Sequence, residues 1–154
     1  MSLRHATRDD VPALVAMGER FLAQSPYGDV CAVNRPQIAT LMTQLIANLE
    51  GVLLVTDTAE GTLTGMLGLV AFVHPLSGLR VAGELFWWNE GRSGDGVRLL
   101  QAGERWARAQ GVTALQMTAP DARVAALYQR AGFLFVESAY LKPLRPASRR
   151  EEAS

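Results

Sequence analysis

Hydrophobic positions along this chain change period twice and divide it into three parts. The first part is helical. Asp9 or Asp10 can cap a helix, and Pro12 suits a first turn, where its missing N–H costs nothing. Val11, Leu14, Val15, Gly18, Phe21 and Leu22 then share one helical face. Ser25-Pro26-Tyr27-Gly28-Asp29 breaks that helix. A second is predicted from near Asn34, with Pro36 in its first turn. Ile38, Leu41, Met42, Leu45, Ile46 and Leu49 fall at i, i+3, i+4, and Gly51 is a stop. Leu3 to Thr7, ahead of both, reads as a short strand.

The middle part is strand-like. Val52 to Val55, Leu63 to Val73 and Arg80 to Trp88 are apolar, β-rich runs. Glu60-Gly61 and His74 to Gly78 separate them, and connections this short predict antiparallel neighbours. The third part alternates. A polar, glycine-rich loop from Asn89 to Gly96 leads into a helix from Val97 to Gln110. A short strand from Ala114 to Thr118 follows, then a helix capped by Asp121 and ended by Gly132. Phe133 to Val136 and Ser138 to Leu144 read as two closing strands. The fold class expected is α/β (α+β), with a mixed, mostly antiparallel sheet flanked by helices.

A length of 154 residues suits one domain, expected over 1–144, with a flexible polar tail over 145–154. With 49% hydrophobic and 19% charged residues the chain is of globular type. Fifteen basic residues balance fifteen acidic ones, which argues against a dedicated nucleic-acid binder. A single cysteine rules out an internal disulfide framework, and no Cys/His cluster has metal spacing, so no metal is expected. The N-terminus lacks the apolar core of a signal peptide, and no apolar run approaches the ~18 residues of a membrane span. The expected setting is cytoplasmic.

Candidate chemistry concentrates in Leu85 to Val97 (Leu-Phe-Trp-Trp-Asn-Glu-Gly-Arg-Ser-Gly-Asp-Gly-Val), where a strand ends, glycines follow and a helix begins. Helix N-termini present unpaired amides and partial positive charge, and glycines let a ligand approach them. The combination suits a phosphate, with Arg92 adding charge; an ordinary connecting loop has the same pattern. No Gly-Lys-Ser or Gly-Lys-Thr opens the helix, so the P-loop pattern is absent. Leu99 stands where a dinucleotide fingerprint needs its third glycine.

Gly94-Asp95-Gly96-Val97-Arg98-Leu99-Leu100 resembles the Gly-x-Gly-x-x-Leu-Leu end of the pyrophosphate motif of the GNAT superfamily of N-acetyltransferases. Leu127-Tyr128-Gln129-Arg130-Ala131-Gly132-Phe133 resembles that superfamily's Leu-Tyr-x-x-x-Gly-Phe segment, and the element order agrees over nearly the whole chain. Trp87-Trp88 and Glu104-Arg105-Trp106-Ala107 are similar to prophage-type members. One position departs: Gly91 stands where the family usually has Gln or Arg, and Arg92 follows one residue later.

The resemblance implies acetyl-CoA as acyl donor and direct transfer to a primary amine. It implies a coenzyme site at Phe86, Trp87, Trp88, Gly91, Arg92, Ser93, Gly94, Asp95, Gly96, Val97, Arg98, Asp121 and Tyr128, and dimerisation through the closing strands is common in the family. An alkyl ammonium must lose a proton before it attacks, so a base is required. Glu84 is the candidate, a lone carboxylate in an apolar strand; a solvent-facing or arginine-paired carboxylate is the plainer reading. Tyr128 matches the family's acid position, against a plainer role as a core aromatic. A backbone N–H near Trp87 or Trp88 would serve the oxyanion. The alternatives are a catalytically weak acyl-CoA-binding or regulatory module on the same scaffold and, more remotely, a nucleotide-binding domain. Trp87, Trp88, Tyr27 and Tyr140 could form an apolar acceptor site or simply be core, and His74 could line it. Cys31 and His5 read as structural or exposed.

Overall fold

A computed structural model describes residues 1–145. In chain order it holds β1 (Ser2–His5), α1 (Val11–Gln24), α2 (Arg35–Ala47), β2 (Gly51–Asp57), β3 (Leu63–Val73), β4 (Arg80–Asn89), α3 (Ser93–Ala109), β5 (Leu115–Gln116) and α4 (Ala122–Arg130). The strands form one sheet in the order β1-β2-β3-β4-β5, antiparallel except for the parallel β4–β5 pair. No helix among the described residues is long and apolar enough to cross a membrane.

Alternation along the strands splits the apolar residues between two layers. Leu53, Val55, Met66 and Phe86 face α1 and α2 and pack with Leu14, Met17, Met42 and Leu45. Val52, Leu54, Leu67 and Leu69 face α3 and pack with Leu99 and Ala102. The expected caps form: Asn34 accepts from the Gln37 amide at 3.0 Å, and Asp121 from Val124 at 2.9 Å. Arg4 ties β1 to its surroundings by pairing with Asp10 at 2.7 Å and Asp57 at 3.0 Å. Its guanidinium holds the Asp10 carboxyl below the usual carboxylate range.

Close packing makes certain glycines obligatory. A Cβ at Gly68 would lie 2.5 Å from the Phe86 ring, which is itself wedged in the α1–α2 layer. Gly68→Ala is expected to destabilise the fold by about 1–3 kcal/mol through overpacking, read from the urea midpoint. An unchanged midpoint would mean that the ring has room to move.

Three expectations need correction. First, α3 starts at Ser93 rather than Val97, so Ser93, Gly94, Asp95 and Gly96 are its first turn and not a loop. Asn89 makes this early start possible. Its Nδ2 donates to the Arg92 carbonyl at 2.9 Å and its Oδ1 accepts from Gly91 N at 3.1 Å, closing the turn in three residues. Second, the strand expected over Ala114 to Thr118 is paired only at Leu115 and Gln116, because β4 and β5 part beyond Gly83. Third, the closing strands do not form. Phe133 to Leu144 carries no strand pairing, and Leu134, Phe135 and Tyr140 are 86%, 77% and 95% exposed. The chain leaves α4 through Gly132, at φ 93°, without returning to β5, so neither the segment nor the sheet edge finds a partner. The expected tail lies, beyond Arg145, outside the described residues.

Candidate active site

The parting of β4 from β5 positions everything that follows. The last paired residues are Ala82 with Leu115 and Gly83 with Gln116, yet β4 runs on to Asn89. A register shift between Gly68 and Leu69 marks the same place. Phe86 pairs with Gly68 and Glu84 with Leu69, leaving Leu85 as an extra residue. Such a bulge bends a strand and re-aims its side chains, here at the mouth of the gap.

Glu84 reaches across that gap. Its Oε1 accepts a hydrogen bond from the Thr118 amide at 3.2 Å, a role β4's backbone would fill if the strands stayed together. From the other side the Tyr128 hydroxyl donates to the Thr118 carbonyl at 3.1 Å. One peptide neighbourhood thus collects both side chains proposed for proton transfer. Neither has an arginine or lysine partner among the described residues. Burial pushes the Glu84 carboxyl up to about 7, only partly offset by the Thr118 N–H. Burial, and secondly the charge of Glu84, push the Tyr128 phenol above its ordinary value.

Beside this pair Trp87 stacks on Tyr128 at 5.8 Å, and Phe133 meets Tyr128 at 5.2 Å. The indole N–H of Trp87 is buried and has no acceptor. Trp88 points to the opposite layer, against Phe21 at 5.4 Å. Tyr27 and Tyr140 are exposed, so the four aromatics do not gather into one acceptor site. His74 accepts from Leu76 and Ser77 at 3.3 Å inside its own loop, a turn-forming role. Cys31 is exposed. The Phe86 side chain is core, which leaves only its backbone near the gap. Asp121 is engaged as the α4 cap.

The N-terminus of α3 lies at the far end of β4. No side chain caps it; the Asp95 amide is bonded to the Arg92 carbonyl at 2.9 Å, which leaves the Ser93 and Gly94 amides to a ligand. Around Gly94 there is open space where a Cβ would stand, whereas a Cβ at Gly96 would press on Asn89 at 3.2 Å. The Gly91 amide is already bonded to Asn89 and is not available to a ligand. Two further features shape this turn. Glu90 forms a paired 2.8 Å contact with Arg20, pinning the turn to α1. Asp95 puts a carboxylate within the helix's first turn, close to Gly91. An Asn89-type turn residue and an Asp at the third helical position are the signals that could have revealed the early helix start.

Two clefts open near these residues. One of about 180 Å³ is lined by Val70, Phe72, Gly83, Glu84, Leu85, Gln116 and Thr118, at the mouth of the gap. A larger one of about 540 Å³ faces the β2–β3 turn, between Thr58, Thr64, Arg92, Asp95 and Arg98. The larger touches neither Glu84 nor Tyr128; the smaller is lined by Glu84 but not by Tyr128.

Solved structures with this architecture were found. A probable acetyltransferase is 21% identical with a TM-score of 0.73, covering 94% of this chain and 99% of its own. An aminoglycoside 6'-N-acetyltransferase from Acinetobacter haemolyticus is 16% identical with a TM-score of 0.69, again over 94% and 99%. A ribosomal-protein-alanine N-acetyltransferase from Brucella melitensis is 15% identical with a TM-score of 0.64, over 92% and 99%.

The fold is that of the GNAT acetyltransferases.

No family model matches the sequence, and no curated protein does. At these identities the likeness extends to the GNAT fold. The proteins named act on acceptors as different as an antibiotic and a ribosomal protein, so the GNAT fold does not choose an acceptor.

Proposed function

We propose that this protein is an acetyl-CoA-dependent N-acetyltransferase acting on a primary amine by direct transfer. The observation that carries this reading is the convergence of Glu84 and Tyr128 on Thr118 inside the gap between β4 and β5. The residues present suit the coenzyme. The open amides of α3 beside Gly94 suit its pyrophosphate, and the unpaired rim of β4 past Gly83 suits the amide-bearing pantetheine arm. The buried indole N–H of Trp87 lacks an acceptor beside Tyr128.

In this mechanism Glu84 removes a proton from the bound ammonium. Near neutral pH about half of its population is ionised, a fair match for a base working at physiological pH. Amides of β4 past Gly83 that turn away from β3 are available to the developing oxyanion. Tyr128 keeps its proton throughout the physiological range and offers it to the departing sulfur. When Glu84 accepts the amine's proton its negative charge disappears, which removes one cause of the raised phenol and makes Tyr128 the better donor at the step that needs it.

The reading is tested by calorimetric titration with acetyl-CoA, followed by thiol release over an amine panel. Saturable binding and amine-dependent thiol release are expected. Absence of binding at millimolar coenzyme would overturn the reading. Binding without release from any amine would favour the second reading, an acyl-CoA-binding regulatory module. Asp95 favours that alternative, because its carboxylate stands where phosphate charge would come. It also makes a prediction. Asp95→Asn is expected to tighten coenzyme A binding roughly threefold to tenfold, as loss of one charge at a helix N-terminus implies. Weaker binding would mean that the carboxylate shapes the turn more than it repels the ligand.

A further inference from the structure

The cleft of about 180 Å³ at the mouth of the β4–β5 gap has walls that proton transfer alone does not require. They are Val70 and Phe72 of β3 and Leu85, the extra residue of the β4 bulge. Val70 packs into the α1–α2 layer, and Phe72, two residues further along the strand, stands on the same face. Phe72 and Leu85 are 40% and 46% exposed, so two large apolar side chains flank one opening beside the Glu84 carboxylate. Gly83, directly across from Val70, leaves the space between these walls unfilled. A Cβ there would stand 3.2 Å from Phe72 Cε1, closer than the ring tolerates without giving way. Gln116 and Thr118 form a polar lip. Among the lining residues only Glu84 is charged. Arg80, at the start of the same strand, is held by Glu50 at 2.7 Å. Tyr128 does not line the cleft; it stacks on Trp87, which belongs to the α3 layer.

Resting on the transfer function proposed above, we propose that this cleft seats the acceptor and selects a small primary amine carried on an uncharged alkyl or aryl stem. The ammonium goes to Glu84, the one charge the cleft offers, and the stem lies against Val70, Phe72 and Leu85. Small-molecule sites are commonly built this way, with apolar walls that bind and a few polar groups that orient. The same features exclude other acceptors. An amino acid would bring its carboxylate, on the carbon next to the amine, close to Glu84, with no arginine or lysine lining the cleft to receive it. A polyamine or aminosugar would press further ammonium or hydroxyl groups onto apolar walls, where they lose water without gaining a partner. Drug-sized ligands occupy clefts of ~300 Å³ or more, so an acceptor that fills this one is smaller.

Thiol release and direct binding together test this. With acetyl-CoA present, phenethylamine is expected to exceed phenylalanine, which has the same stem and a carboxylate besides, by roughly tenfold or more in kcat/KM. It should also exceed the aminoglycoside kanamycin and a lysine-bearing peptide. Calorimetric titration, with and without the unreactive free coenzyme A, should show phenethylamine binding in preference to phenylalanine. Faster release with phenylalanine, kanamycin or the peptide would overturn this substrate class and leave the transfer reading standing. Release from no amine, with phenethylamine still preferred in binding, would overturn the transfer reading and support the cleft's selectivity. Failure of both measurements would overturn both. Leu85→Arg gives a second check. Leu85 is exposed, so the variant is expected to fold, and its guanidinium supplies the cation that the cleft lacks. The preference for phenethylamine over phenylalanine should then fall roughly tenfold. A folded variant with an unchanged preference would reject the proposal.

Discussion

Replacing Glu84 by Gln is expected to lower turnover by about 10²–10⁴-fold, the usual contribution of a positioned base. Wild-type kcat/KM should rise with pH through about 7, where the carboxyl loses its proton. The variant should lack that inflection. Its residual rate should instead follow the unprotonated fraction of the acceptor amine, still climbing toward a pKa near ~10.4. Stability should move the other way. Raised from 4.5 to about 7, the carboxyl binds more protons in the folded state than in the unfolded one between those values. Its contribution is thus complete below about pH 4.5 and is lost as pH rises through about 7, a swing on the order of 3 kcal/mol. The substituted side-chain amide still offers Thr118 an oxygen but carries no charge, so the variant should melt higher than wild type at pH 8. A variant with wild-type rates and an unchanged pH profile would remove Glu84 from the chemistry. Equal melting temperatures at pH 8 would say that the charge is solvated after all.

Tyr128→Phe should cost about 10²-fold in kcat while leaving coenzyme affinity essentially unchanged. Most of the side chain's packing survives the change, since the ring contacts with Trp87 and Phe133 need no hydroxyl. What is lost is one hydrogen bond to the Thr118 carbonyl, worth about 0.5–1.5 kcal/mol, and the only hydroxyl proton aimed into the gap by α4. A thiol has an ordinary pKa near ~8.5, below that of a phenol, so transfer from Tyr128 is uphill, and less so once Glu84 is neutralised. The two losses should therefore be coupled. In a Glu84→Gln background, Tyr128→Phe should cost less than it does alone, measured by a double-mutant cycle on kcat. Full activity in the single Phe variant would confine the hydroxyl to holding Thr118, and strictly additive losses would break the link between the two steps.

Much of this arrangement was legible in the sequence because it rests on local physics. Helical spacing located α1 and α2, although Leu49, expected on the α2 face, lies past its end and is exposed and Gly51, expected as its stop, opens β2; Leu63 to Val73 is the observed β3 to the residue. Glu84 stood out because a carboxylate in an apolar strand has few ordinary uses. Less local features escaped. The start of α3 was misread because Asn89 closes its turn through contacts with Gly91 and Arg92, while the glycines in the helix look like loop residues. The Arg20–Glu90 pair joins positions far apart in the chain and leaves no spacing signal.

The sequence by itself determined most of the helix faces and the meander strands, because each depends on neighbours a few residues away; it marked Glu84 as a lone carboxylate in an apolar strand, and Tyr128 only through the family resemblance. Only the tertiary structure decided where β4 leaves β5, that Glu84 and Tyr128 meet at Thr118, and that residues 134–144 find no strand partner in their own chain. Those outcomes turn on pairing between distant segments, where β-pattern says that a strand can form but not which edge will receive it.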